Sequence, residues 1–246
     1  LVSPDILGVS AGASLGAVLG IFLSQSVVVI QGLAFAGGLA AVALVYVVGS
    51  AVRGRDPVLV LVLAGVAIGA MLGAGISLLK VLADPYDQLP AITFWLLGSL
   101  ANVTRGDVVS ILPAMALGLL PMALLRWRIN LMTLEDEEAR ALGVETRTLR
   151  LLFVAAATLM TAAAVSISGV VGWIGLLIPH IARMLVGPDF SRLLPAALML
   201  GGGYVVGVDT LARTIAEIEV PLGILTAAIG APFFLWLLMS ARHGWR

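Results

Sequence analysis

Long runs of apolar residues, separated by short polar connections, divide this chain. Eight runs come close to the roughly 20 residues that a membrane helix requires. They cover residues 6–23, 27–49, 58–82, 108–125, 151–168, 174–186, 193–211 and 222–240. The run 174–186 is too short to span upright, and residues 91–100 favour a re-entrant or interfacial helix. Since 61% of the residues are hydrophobic and 11% charged, one soluble core cannot bury this apolar surface. The sequence predicts an all-α polytopic membrane bundle, a single domain over 1–246 with about eight spans.

The basic residues are distributed unevenly between the two sides of these runs. Eight spans place both chain ends on the same side, and 11 arginines fall there. Only Lys80, Arg105 and Arg213 fall on the opposite side. Because cytoplasmic loops carry the excess of Lys and Arg, we expect both chain ends to be cytoplasmic. The 14 basic and 14 acidic residues cancel, so we expect no nucleic-acid partner.

Residues 126–150 form the one long polar segment, which we call the elbow. Thr133 is placed to cap a helix, acidic residues follow it, and Gly143 offers a left-handed stop. The pattern predicts a short helix over 134–142 outside the bilayer on the cytoplasmic side. Because a connector between two spans needs only a few residues, this length favours a docking surface for another protein. The alternative is a solvated amphipathic linker resting on lipid headgroups.

Glycines recur at a spacing of four residues along several of the apolar runs. The rows are Gly8, Gly12, Gly16 and Gly20, then Gly65, Gly69 and Gly73, with a further cluster at Gly201, Gly202 and Gly203. Small residues at this spacing let helix backbones approach closely. We favour tight packing within one bundle, and the alternative is that these helices slide against each other during a transport cycle.

Motifs for catalysis and nucleotide binding are absent from the sequence. There is no Cys, no G-x-x-x-x-G-K-[ST] phosphate loop, no H-E-x-x-H and no G-x-S-x-G. His180 and His243 are isolated, and Lys80 is the single lysine. We therefore expect no enzyme activity in this chain and no bound cofactor or metal. Any nucleotide-driven work has to come from another chain.

Seven sequence blocks carry a family resemblance. They are S-P-D-I-L-G-V-S at 3–10, L-A-G-V-A at 63–67, W-L-L-G-S at 95–99, E-A-R-A-L-G-V at 138–144, G-W-I-G-L-L-I-P-H at 172–180, D-T-L-A-R at 209–213 and P-L-G-I-L-T-A-A-I-G-A-P at 221–232. In this order they resemble the permease subunits of type II ABC importers, the iron-siderophore, haem and vitamin B12 permeases of FecCD type. Members of that family have ten spans, and this chain resembles them from their third span onward.

The resemblance implies a set of partners and a place in the cell. The permease would pair with a second copy of itself in the inner membrane of a bacterium or archaeon. Two cytoplasmic ATPase subunits, which bind ATP and Mg²⁺, would dock at the coupling segment 126–150. An extracytoplasmic substrate-binding protein would deliver the cargo on the other side.

The resemblance also implies roles for individual residues. Those expected to contact the ATPase are Glu138, Ala139, Leu142 and Gly143. Those expected along the translocation path or at its gate are Leu7, Gly8, Ser10, Asp56, Pro57 and Ser77. Arg105 and Arg213 are expected to dock the binding protein.

The function that follows is import of a ferric siderophore, haem or corrinoid by alternating access, and an oxyanion stays open as cargo. The main alternative is a secondary transporter driven by an ion gradient, which needs carboxylates in mid-span. Asp209 is the one acid inside a predicted span. A local pair between Asp209 and Arg213 at a helix end is favoured over a substrate role. An intramembrane enzyme would need a catalytic cluster, which the sequence lacks.

Overall fold

The computed structural model describes residues 4–52, 57–134 and 136–240, and within these ranges its regular structure is helical. The helices are α1 (Val9–Phe22), α2 (Val27–Ala51), α3 (Pro57–Leu82), α4 (Gln88–Leu97), α5 (Arg105–Leu124), α6 (Arg126–Leu131), α7 (Asp136–Ala141), α8 (Thr146–Ser168), α9 (Ile174–Val186), α10 (Phe190–Thr214) and α11 (Leu222–Ser240). The predicted all-α class is confirmed.

The helices fall into two length classes. By length and composition, α2, α3, α5, α8 and α10 could each cross a membrane. They correspond to five of the eight predicted spans. The remaining three predicted spans are the shorter apolar helices α1, α9 and α11. The segment for which the sequence favours a re-entrant or interfacial helix forms α4, which has 10 residues.

Packing between helices divides the fold into two groups. α1 and α2 pack against each other and against α3 and α8, while α4 adds to α1 and α5 to α8. We call these six helices the main bundle. α9, α10 and α11 pack against one another and form what we call the C-terminal unit. The C-terminal unit packs against the rest of the chain through the pairs α6 with α10 and α4 with α11.

The two contacts of the C-terminal unit with the rest of the chain lie at opposite ends of the molecule. At the elbow end, the elbow joins α5 to α8 and lies beside the start of α10. At the far end, the ends of α4 and α8 meet the start of α11. There the N–H of Leu222 donates to the carbonyl oxygen of Gly98 (2.9 Å), and the N–H of Ser99 donates to that of Ser168 (2.9 Å). The Ser99 hydroxyl also donates to a carboxylate oxygen of Glu219 (2.8 Å).

Glycines hold α1 and α2 in close antiparallel contact. A Cβ added at Gly16 would lie 2.6 Å from the carbonyl carbon of Leu33, and one at Gly12 would lie 2.5 Å from the Cβ of Ala41. Neighbours this close leave no room for any side chain at either glycine. Tight packing, the favoured interpretation of the first glycine row, therefore accounts for Gly12 and Gly16.

Gly16→Ala should destabilise the protein, whereas Gly32→Ala should not. The new methyl group at position 16 would press on the Leu33 backbone, and overpacking of this kind costs about 1–3 kcal/mol. Gly32 lies on α2 with no atom within 4 Å of an added Cβ, so alanine there should gain about 0.5–1 kcal/mol of helix propensity. Thermal unfolding of both purified variants in one detergent checks this. Equal melting temperatures would contradict the close approach of α1 and α2.

The other glycine rows are used differently. Gly65 lies against the backbone of Ile6, but a Cβ at Gly69 or Gly73 would meet no atom within 4 Å. The same holds for Gly202 and Gly203. Close packing inside this chain thus explains only the first member of the α3 row and does not explain the cluster in α10.

Candidate functional site

The elbow folds around a small core of its own. Ala139, Val144 and Leu149 are buried together. Partly buried residues from the elbow and its neighbouring helices surround them: Leu125, Leu131, Met132 and Phe153. Ala139, predicted to contact the ATPase, has no exposed surface. It supports the elbow from within, because its methyl group fills the space between α7 and the start of α8.

The other three predicted coupling residues lie on the surface of the elbow. Glu138 is exposed and Leu142 is 59% exposed. Gly143 adopts a left-handed φ of +78°, and no atom lies within 4 Å of a Cβ placed on it. Beside it an open groove of about 430 Å³ is lined by Arg140, Gly143, Val144, Glu145, Thr146 and Arg147. The elbow thus presents a leucine and a bare backbone turn next to a groove lined by two arginines and a glutamate.

The predicted helix over 134–142 forms as the shorter α7, and Thr133 makes a contact that was not predicted. The Thr133 hydroxyl donates to the carbonyl oxygen of Asn130 (2.7 Å) and so closes the end of α6. The six-residue α6 was not predicted, since its pattern is too short to show a helical period. The capping box of α5, Thr104 with Asp107, was also missed, although its spacing is visible in the sequence.

A polar clamp joins the elbow to α10. The side-chain amide of Asn130 donates to a carboxylate oxygen of Asp189 (2.6 Å), and its oxygen accepts from the N–H of Phe190 (2.8 Å). The same Asp189 oxygen caps α10 by accepting from the N–H of Ser191 (3.0 Å). The Asn130 amide, together with that N–H, holds the pKa of Asp189 below its usual value. The sequence pattern does not predict this clamp.

The structure does not bring the predicted gate residues together. Leu7 is buried in a core cluster with Val9, Val42, Val45, Ile68 and Ala162, so it does not line an open path. Pro57 starts α3, and Ser77 lies 20 residues further along it, a distance of about 30 Å on a helix. Asp56 lies outside the described residues.

Two of the predicted gate residues shape the start of α1. Gly8 caps this helix with a φ of +85°, which favours glycine. The Ser10 hydroxyl donates to the Asp5 carboxylate. Further along, Ser77 donates to the carbonyl oxygen of Gly73 (2.9 Å) on its own helix. Both hydroxyls donate their proton within the chain, so each offers a cargo only its oxygen, as an acceptor.

The two predicted docking arginines both lie toward the far end. Arg105 is exposed at the first position of α5. Arg213 donates twice to Asp209, at 2.9 and 3.1 Å, so the predicted local pair is confirmed. Among the described residues, no three His, Cys, Asp or Glu side chains are grouped to hold a metal ion.

Known proteins share this arrangement of helices and elbow. A sequence model of the FecCD transport family matches residues 1–240. The chain belongs to the FecCD transport family. The predicted resemblance is thereby confirmed, and the protein is a multi-pass ABC transporter permease.

Individual relatives match this FecCD permease along nearly its whole length. It is 41% identical over 242 residues to an iron chelatin transport system permease protein of Helicobacter pylori, covering 98% of this chain and 73% of the relative. It is 41% identical over 239 residues to the cobalamin import system permease protein BtuC of Halobacterium salinarum, covering 97% and 64%. A solved inward-facing structure of a metal-chelate type ABC transporter matches with a TM-score of 0.91 at 37% identity, covering 98% and 76%.

Proposed function

We propose that the permease moves a metal chelate or a corrinoid into the cytoplasm by alternating access, driven by separate ATPase subunits that bind ATP and Mg²⁺. The observation that carries this proposal is the structure of the elbow. It has a buried core of its own, and it is exposed at the surface of a bundle of membrane helices. A loop that only connected two spans would need neither its own core nor a stop at Gly143. The names of the relatives supply the cargo class: iron chelatin for one and cobalamin for the other.

The elbow is the proposed ATPase contact, and it faces the cytoplasm. Leu142 would enter an apolar cleft of the partner, Glu138 would lie at the rim, and Gly143 would let the partner backbone approach. Ala139 belongs to this site as its internal support. Arg140 and Arg147 outnumber Glu145 along the groove, so its net positive charge favours an acidic patch on the ATPase surface.

A second copy of the chain would complete the translocation path. α3 carries large exposed apolar side chains along its length, with Val66 at 62%, Met71 at 72% and Leu78 at 59% exposure. In the proposed dimer α3 and α11 line the axis between the two copies. Arg105 would dock the extracytoplasmic binding protein, and Arg213 would contribute less because Asp209 already neutralises it.

Uptake into vesicles tests the proposal. The permease with its ATPase partner is reconstituted into liposomes, and labelled ferric siderophore, haem and cobalamin are offered with the binding protein outside. We expect at least one of them to accumulate only when Mg²⁺ and ATP are supplied on the ATPase side. A catalytically inactive ATPase is the matched control. Accumulation that follows an imposed ion gradient without ATP would contradict the importer and favour a secondary transporter.

A further inference from the structure

The C-terminal unit meets the rest of the protein at few places, and one of them is the elbow. Its helices pack mainly on one another, and its closest packing outside that group is that of α10 with α6 and of α11 with α4. The chain also links it to α8 through the short stretch between Gly169 and Trp173. Because α6 is part of the elbow, a force applied there has a direct non-covalent route into α10.

The contact between α6 and α10 is a matched set of hydrogen bonds. Asn130 donates to Asp189 at 2.6 Å and accepts from the Phe190 N–H at 2.8 Å. Both partners belong to the first turn of α10 or its cap, and Asp189 also accepts from the Ser191 N–H at 3.0 Å. The side-chain amide of Asn130 therefore binds the start of α10 through one donor and one acceptor. Leucine could not do this, and neither could a carboxylate beside Asp189.

The rest of α10 leads away from the clamp to the far end. There Val208 and Ala212 are buried with Leu222 at the start of α11. The N–H of Val220 donates to the carbonyl oxygen of Ala212 (3.1 Å). A displacement of the start of α10 would therefore be transmitted to the place where α11 contacts Gly98 of the main bundle.

We propose that Asn130 is a positioning residue that makes the C-terminal unit follow the elbow when the ATPase moves it. This inference rests on the proposed function and adds to it the joint through which the movement leaves the elbow. Without the clamp, the elbow would still be attached covalently to α5 and α8. It would move the main bundle while α9 to α11 lagged behind, so ATP hydrolysis would continue with little transport.

Three variants separate the role of the clamp from a general effect on folding. Asn130→Asp sets two carboxylates face to face and should open the clamp. Asp189→Asn keeps an oxygen for Asn130 and for the α10 cap, because Asn caps helices as well as Asp does, so its effect should be small. The double variant, Asn130→Asp with Asp189→Asn, restores one donor facing one acceptor once the new amide at position 189 turns its nitrogen toward position 130 and its oxygen toward the Ser191 N–H, and it leaves an oxygen for the Phe190 N–H.

Uptake and ATP hydrolysis are measured side by side for each reconstituted variant. We expect Asn130→Asp to lower uptake per ATP hydrolysed by about tenfold and the double variant to recover most of it, since bonds to charged groups are among the stronger ones. The chain has no Cys, so spin labels attach only where Cys is introduced, by Trp127→Cys on α6 and Met199→Cys on α10, in one copy of the proposed dimer paired with an unlabelled copy. In the otherwise wild-type permease, the distribution of distances between the two labels should stay narrow through the ATP cycle. In Asn130→Asp this distribution should broaden.

Two results would overturn the proposal. One is an Asn130→Asp permease that transports as well per ATP as the wild type. The other is a loss of uptake that the double variant does not recover while the label distance stays narrow. A wild type with no ATP-dependent uptake would instead refute the proposed function and the clamp with it, so the two failures are distinguishable.

Discussion

Gly143→Trp should lower substrate uptake by about tenfold or more while the assembled transporter still hydrolyses ATP, a loss typical of a residue at the centre of a protein interface. Gly143 lies on the surface of the elbow, and among the residues that the structure describes no atom is within 4 Å of a Cβ placed there. The indole would therefore project outward into the space proposed for the ATPase. Because the obstruction falls on the partner, the fold of the permease should be affected far less than its coupling.

The matched control is Gly143→Ala. Position 143 has a φ of +78°, so any L-residue there bears a backbone cost of roughly 1–2 kcal/mol. Alanine shares that cost with tryptophan but lacks the bulk. Uptake per ATP hydrolysed, measured in reconstituted vesicles for both variants, separates strain from obstruction. Equal losses in the two variants would assign Gly143 to the turn alone, and unchanged uptake in Gly143→Trp would refute its place in the ATPase contact.

The periodic features of the fold could be predicted from the sequence, and contacts between distant residues could not. Apolar runs predict the long helices well because each run needs only its own residues to be recognised. The Asn130–Asp189 clamp joins residues 59 positions apart, and nothing in the pattern around either residue points to the other. Only the folded chain brings α6 beside the start of α10.

The side that a site residue faces bears on its role, and the sequence does not show that side. Ala139 and Leu142 belong to one motif, yet the first is fully buried and the second is 59% exposed. The sequence cannot separate them, since α7 is too short for an apolar face to be read from its period. Gly69 and Gly73 show the same problem, because their spacing predicts a close neighbour that this chain does not supply.

The far-end junction should be the place least tolerant of substitution, and Gly169→Ala is expected to destabilise the permease by more than about 3 kcal/mol. Gly169 combines φ +67° with ψ −166°, a backbone conformation essentially restricted to glycine. A Cβ there would also overlap the carbonyl oxygen of Trp95 and lie 3.0 Å from the Cα of Gly98. Both costs fall on a turn whose neighbours are backbone atoms, so repacking of side chains cannot relieve them.

The consequence should extend beyond α8, because the junction is shared by three helices. Gly98, which the new methyl group would displace, accepts the N–H of Leu222 at the start of α11. Gly172→Ala is the matched control, since it lies three residues further along and its added Cβ meets no atom within 4 Å. Thermal unfolding in detergent should show a melting temperature lowered by roughly 6–12 °C for Gly169→Ala and little change for Gly172→Ala. Equal melting temperatures would mean that the ends of α4 and α8 do not meet as described. The start of α11 would then lack its contact with the main bundle.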